Sequence, residues 1–294
     1  MTFLTSLSQP RQLILDGATG TELNRRGVDT GLPLWSANAL MNDRDAKILQ
    51  QIHEDYLCAG ADIITTNTFR THRRALAPSG NADRALELTR RAVDTARAAI
   101  ANVKSDLPKF VAGSVSTLED CYRPDLVPPD DEIRAEHSER IHHLVECDVD
   151  LILIETINTI REAVIMARLA IDTGVPVVVS FVCDREGRIL SGETLTQAAN
   201  QLLPLGISAI GVNCGPTPNF AKPLAELEIA CGKDFPLIAY GNIGYVDEKV
   251  GWVNTDSENP KAYCEHAVHW HVKIVGGCCG TTPEHIRQLK LALK

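Results

Sequence analysis

The sequence predicts an α/β protein of the (β/α)8 TIM-barrel class, a single domain over residues 1–294, on three observations. Eight short apolar or β-branched runs alternate with helical stretches, most at spacings of 25 to 45 residues, the pattern of repeated strand–helix units around a parallel sheet. The length of 294 residues fits one such barrel. Seven of the eight runs end in a polar or reactive residue: Asp16, Asn67, Ser114, Glu155, Cys214, Asn242 and the pair Cys278-Cys279. A barrel gathers the carboxyl ends of its strands at one mouth, so these residues would share one rim. A doubly wound open sheet is the alternative; the length and the strand ends favour the barrel.

Each element has its own signal. Residues 12–15 form a short strand ending in Asp16-Gly17-Ala18-Thr19-Gly20, a tight loop that presents Asp16 and backbone N–H groups. Its glycines are too sparse for a dinucleotide fingerprint. The periodic stretch from Asp43 to Ala59 is a helix, followed through Gly60 by a β-branched strand at 62–68. A helix over 81–101 precedes the strand at 109–115, and residues 116–129 are a long irregular segment of the kind that lies over a site. Residues 130–147 are helical and 149–156 make the clearest strand. Thr159 and Glu162 have capping-box spacing for the helix that runs to Ile171, which leaves Glu155 free for other work. An ion pair at the strand end is the structural alternative for Glu155. Strands follow at 175–181, 208–214, 236–242 and 272–279, with a helix at 195–203. Residues 244–260, polar and carrying Trp252, read as a second excursion over the same face. After the last strand, Thr282 is a natural N-cap with Pro283 at the first helical position.

Composition narrows the partners. With 44% hydrophobic and 23% charged residues the chain reads as an ordinary globular protein, without a membrane span or a low-complexity tract. The first residues have neither a basic n-region nor an apolar h-region, so no signal peptide is expected and the location is expected to be cytoplasmic. Nine cysteines, an odd number scattered along the chain, argue against a disulfide framework and for reduced thiols open to a metal. A net charge of −9 with no basic stripe excludes nucleic acid as a partner and leaves small molecules.

The chemistry concentrates at Cys214, Cys278 and Cys279. Val275-Gly276-Gly277-Cys278-Cys279-Gly280 ends one strand and Val212-Asn213-Cys214-Gly215 ends another. A lone cysteine there would read as a small hydrophobe. Three with flanking glycines leave open space where packing would want it filled. Three thiolates suit a soft tetrahedral cation, Zn²⁺ first, and three protein ligands leave one position open, as in catalytic rather than structural sites. The spacing is not that of a zinc finger, and His266, His269 and His271 precede the strand, so they are expected to be helix and loop residues. Two rival classes keep the same residues: a barrel enzyme that binds phosphate at the last Gly-Gly turn and the following helix, and a non-enzymatic protein with a structural metal or a thiol sensor.

Gly276-Gly277-Cys278-Cys279-Gly280-Thr281-Thr282-Pro283, with Asn213-Cys214, Asp16-Gly17 and Glu155-Thr156, resembles the homocysteine S-methyltransferases over nearly the whole chain. The resemblance implies a zinc-containing barrel in which Cys214, Cys278 and Cys279 hold the metal. It implies that Asp16, Glu155 and backbone groups near Gly17 and Thr19 bind homocysteine, and that Asn242 stands where the family supplies a replaceable fourth ligand. Gly241 precedes it where many relatives have Pro. The segment Pro33-Leu34-Trp35-Ser36-Ala37 is similar to that of the S-methylmethionine and S-adenosylmethionine users. The partners implied are homocysteine and a small methyl donor, S-methylmethionine in preference to S-adenosylmethionine or betaine.

Overall fold

The computed structural model describes residues 1–247 and 251–293. Seven parallel strands come first: β1 (Leu13–Ile14), β2 (Ile63–Thr65), β3 (Phe110–Val115), β4 (Leu151–Ile157), β5 (Val177–Phe181), β6 (Ala209–Pro216) and β7 (Leu237–Asn242). An antiparallel hairpin, β8 (Gly244–Asp247) with β9 (Gly251–Asn254), precedes the last barrel strand, β10 (Ile274–Gly277). The sheet order is β1-β10-β7-β6-β5-β4-β3-β2. A parallel bridge from Leu15 to Ile63 joins the two ends. Backbone bonds from Asp62 N–H to Ile14 O (2.7 Å) and from Asp16 N–H to Ile63 O (3.0 Å) complete the closure. The expected eight-stranded barrel is what the chain forms.

The strands read as unbroken apolar runs because both of their faces are buried, yet their side chains still alternate. Leu13, Leu15, Ile63, Phe110, Ala112, Leu151, Leu153, Val178, Ala209, Ile238 and Ile274 pack together inside the barrel. Their neighbours Ile14, Ile64, Val111, Ile152, Val177, Val179, Ile210, Ala239 and Val275 pack outward against the helices. Each fully buried Leu or Ile of these layers stabilises the fold by about 1.5–3 kcal/mol. At the amino end, the Phe3–Leu7 helix sends Phe3 and Leu7 into the inner layer, Phe3 edge-on to Phe110 at 5.7 Å between centroids. Continuing the inward alternation toward the carboxyl end carries Thr65, Ser114, Glu155, Tyr240 and Cys278 into the mouth.

Several sequence-based expectations are adjusted. The Asp43–Ala59 helix has the expected bounds, with Gly60 left-handed at φ 118° as its stop. The next long helix begins at Ala85, after a 3-10 turn at Ala82–Arg84. The loop after Asp16 is only two residues long, because Thr19–Arg25 is already helical. Thr159 does cap the Ile160–Ile171 helix, accepting from Glu162 N–H, but the Glu162 carboxylate does not return to close a box. It is fully buried, and its Oε1 instead takes His137 Nε2 (2.9 Å) and Leu118 N–H (3.0 Å), because a buried polar group needs hydrogen-bond partners. That choice ties the 116–129 segment to the barrel. The 244–260 excursion is the β8–β9 hairpin and a 3-10 turn; the Trp252 side chain lies outside the described residues. Among the described residues no helix is long and apolar enough to cross a membrane.

Candidate metal and substrate site

One cavity of about 410 Å³ opens at the carboxyl ends of the strands, and its lining includes Asp16, Gly17, Thr19, Asn67, Ser114, Glu155, Cys214, Cys278 and Cys279. Of the expected rim residues, Asn242 does not line it. His266 and His269 lie in a helix and a 3-10 turn, as expected, with His266 paired to Asp256 at 3.1 Å.

The three sulfurs of Cys214, Cys278 and Cys279 all lie within 4.8 Å of one another, with Cys214 and Cys279 3.9 Å apart. Tetrahedral zinc bonded to sulfur at about 2.3 Å places its sulfurs about 3.8 Å apart, so the trio fits such a cation with little movement. Its electrostatics agree. Hydrogen bonds from Cys278 and Cys279 pull the Cys214 thiol below its usual range, while donation to Cys214 pushes Cys278 up. Three thiolates this close repel one another, and a divalent cation is what lets all of them ionise.

The backbone around the trio is specialised. A Cβ at Gly277 would lie 2.4 Å from Thr281 Oγ1, and Gly280 is left-handed at φ 85°. Thr281 Oγ1 donates to Cys278 O (2.8 Å) and accepts from Ala18 N–H (3.1 Å), which stitches the cysteine turn to the loop after β1. The Pro283–Ala292 helix is closed by a Thr282/His285 capping box, so the groups that the phosphate reading needed are already engaged. Asn242 Oδ1 accepts from Cys279 N–H at 3.0 Å. Its oxygen keeps a second lone pair, so the Cys279 bond does not by itself bar it from a metal.

Two carboxylates form the floor. Glu155 is 8% exposed; Ser114 Oγ–H donates to its Oε1 at 2.5 Å and the Tyr240 hydroxyl to its Oε2 at 3.0 Å. Burial outweighs those donors and pushes its carboxyl up to about 7. Asp16 is 1% exposed and accepts from Thr65 N–H and Thr65 Oγ–H, both at 2.8 Å. Burial, helped by the charge of Glu155, raises it to about 8. No Arg or Lys pairs with either carboxylate, so the ion-pair alternative for Glu155 does not hold among the described residues. A cationic group placed between them would favour the charged forms that burial now penalises.

Sequence reasoning missed three partners. Asn213, fully buried, accepts from Thr156 N–H (3.0 Å) and donates to Thr156 Oγ1 (2.8 Å), holding the ends of β4 and β6 together. Tyr240 follows from the inward alternation with Ile238, a signal available in the sequence. Tyr122, in the 116–129 segment, reaches Cys214 Sγ with its hydroxyl at 3.0 Å, and only the general expectation of a loop over the site pointed there. Trp35 lines the cavity beside Phe69, edge-on at 5.6 Å, and seats against Gly20, where a Cβ would lie 2.4 Å from its ring.

Fold and site together define a barrel enzyme with a cluster of three thiols and paired buried carboxylates at one mouth. The family model for homocysteine S-methyltransferase matches residues 13–293, and the chain belongs to that family. It is 30% identical to the homocysteine S-methyltransferase YbgG of Bacillus subtilis (strain 168), over 94% of this chain and 93% of that one. It is also 30% identical to the selenocysteine Se-methyltransferase of Brassica oleracea var. italica, over 94% and 87%. Among solved structures it resembles the metallated form of the homocysteine methyltransferase MmuM from Escherichia coli, with a TM-score of 0.83, 27% identity and 98% of each chain covered. The family excludes the non-enzymatic alternative.

Proposed function

We propose that residues 1–294 form one homocysteine-binding barrel domain that moves a methyl group from a small onium donor to the homocysteine thiol, giving methionine. Cys214, Cys278 and Cys279 hold a Zn²⁺ ion; their spacing, matched to tetrahedral sulfur coordination, is the observation that carries this reading. Zinc, when bound, supplies an open coordination position and lowers the pKa of a thiol that enters it. Glu155 and Asp16 take the ammonium of homocysteine, and backbone groups near Gly17 and Thr19 hold the rest of its amino-acid end. Ser114 and Tyr240 fix the Glu155 carboxylate so that the ammonium meets it in one orientation.

In the transfer, a sulfur–carbon bond forms as the bond between the methyl and the donor's sulfonium or ammonium centre breaks. The bonding pair stays on the donor, whose sulfonium or ammonium centre becomes a neutral sulfide or amine. No proton moves in that step, so positioning carries the rate, consistent with a mouth that, among the described residues, contains carboxylates and thiols but no Ser–His–Asp arrangement. S-methylmethionine is the favoured donor over S-adenosylmethionine and betaine, with Trp35 offering its ring to the cation. All nine cysteines are free thiols, which supports a reducing, cytoplasmic setting.

The test is a methyl-transfer assay with homocysteine against the three donors, with metal content measured in parallel. About one zinc per chain is expected, with metal and activity both lost in Cys278→Ala and Cys279→Ala. Full activity in a metal-free preparation refutes the zinc assignment, and a clear preference for betaine refutes the donor assignment.

A further inference from the structure

We infer that Arg70 is a specificity-determining residue that binds the carboxylate of the methyl donor. The inference rests on the methyl-transfer reading above. Arg70 is the one cationic side chain among the described residues lining the cavity, whose acids are Asp16, Glu155 and Asp120. Its guanidinium makes a single long hydrogen bond, Nη1 to Pro33 O at 3.4 Å, and no ion pair among the described residues. A guanidinium carries five N–H donors in a planar fork that matches a carboxylate. Most of that fork is therefore unengaged in a cavity built to hold a ligand.

Its place in the cavity assigns it to the donor. Arg70 follows Phe69, whose ring meets Trp35, and its bond to Pro33 sets it against the segment that carries Leu32 and Trp35. Leu32 is 78% exposed and Val246 is 72% exposed, so this wall is the outer lip, whereas Asp16 and Glu155 are the buried floor. Displacement at a methyl carbon is in line, with the leaving group opposite the attacking sulfur. With the acceptor sulfur at the cysteine cluster and its ammonium on the floor, the body of the donor must point away toward the lip. There the aromatic pair faces the onium centre and the Arg70 fork faces an anion.

The experiment compares wild type, Arg70→Gln and Arg70→Lys with S-methylmethionine and with betaine, each against its own carboxamide, at saturating homocysteine. Wild type is expected to favour each carboxylate form. Arg70→Gln is expected to lose about 10- to 100-fold in kcat/KM for the carboxylate donor, mostly through KM, and its preference over the carboxamide should collapse. Arg70→Lys should restore part of that preference. The melting temperature and the homocysteine KM are expected to hold. A preference unchanged in Arg70→Gln, or a defect confined to the homocysteine KM, overturns the assignment. If wild type methylates homocysteine from no donor, the methyl-transfer reading fails and takes the inference with it.

Discussion

Replacing Asn213 by Ala tests whether the site is built by side-chain bridging between strands. Asn213 is fully buried and its partner Thr156 is 2% exposed, so no bulk water is at hand to replace what the substitution removes. Two bonds go, Thr156 N–H to Oδ1 at 3.0 Å and Nδ2 to Thr156 Oγ1 at 2.8 Å. The orphaned N–H costs about 1–3 kcal/mol and the lost bond to the hydroxyl about 0.5–1.5 kcal/mol, which together come to about 1.5–4.5 kcal/mol. Because Asn213 precedes Cys214 and Thr156 follows Glu155, the damage should reach both halves of the site. Urea unfolding at fixed metal should show the loss as a lower midpoint with an unchanged slope. Zinc competition and homocysteine titration should both weaken. Thr156→Val, which keeps the N–H bond, should cost only the smaller part. A stability change below about 0.5 kcal/mol with zinc affinity intact would show that the bridge is incidental.

Glu155→Gln should leave zinc stoichiometry unchanged and weaken homocysteine binding by about 1.5–3 kcal/mol, the value of a charge-assisted hydrogen bond; equal affinities in calorimetry would contradict its role. The pH dependence of stability is expected to show the cost of the floor. Asp16, raised to about 8, and Glu155, raised to about 7, keep protons that the unfolded chain releases near pH 4. The folded state thus binds more protons between those limits, and stability falls as pH rises through the window. His53, buried and lowered to about 4, acts in the opposite sense, but only up to about pH 6.5. Between about pH 6.5 and 8 the Cys214 thiol, pulled below its usual range, opposes it as well, so the carboxyl effect is read as a difference: Asp16→Asn should fall less steeply with pH than wild type in denaturation series run without substrate. A slope identical to wild type would remove Asp16 as its source.

Much of the architecture was legible because barrel strands announce themselves twice, as apolar runs and by what stands at their ends. The Asp43–Ala59 helix is bounded as expected, since its periodicity and its stop at Gly60 agree. The Thr19–Arg25 helix was hidden by glycine and threonine, which weaken helical propensity, and forms because Leu23 buries in the core. Glu162 misled for the opposite reason: its local spacing was right, but a tertiary partner, His137, lay 25 residues away. Tyr122 reaches Cys214 across 92 residues, and no local pattern encodes such a contact.

Cys214 shows where periodicity alone gives the wrong direction. In β6, Ala209 packs inside the barrel, whereas Ile210 and Val212 pack outward. Strict alternation would then turn residue 214 outward as well, away from the mouth. The register between β6 and β7 shifts between Asn213 and Pro216, and Cys214 takes a left-handed backbone at φ 56°. A bulge of this kind re-aims a side chain, and here it swings the thiol into the cavity beside Cys279. The neighbouring β4 does the same at Thr156, φ 58°, with its own register shift between Ile154 and Ile157. Such a conformation costs about 1–3 kcal/mol at a residue other than glycine and persists only where its surroundings enforce it. Asn213 supplies that enforcement, since its one side chain binds the strained residue of β4 while its own backbone leads into the strained residue of β6. The Asn-Cys dipeptide at this strand end thus carries two functions, one residue presenting the thiol and the other holding open the geometry that aims it.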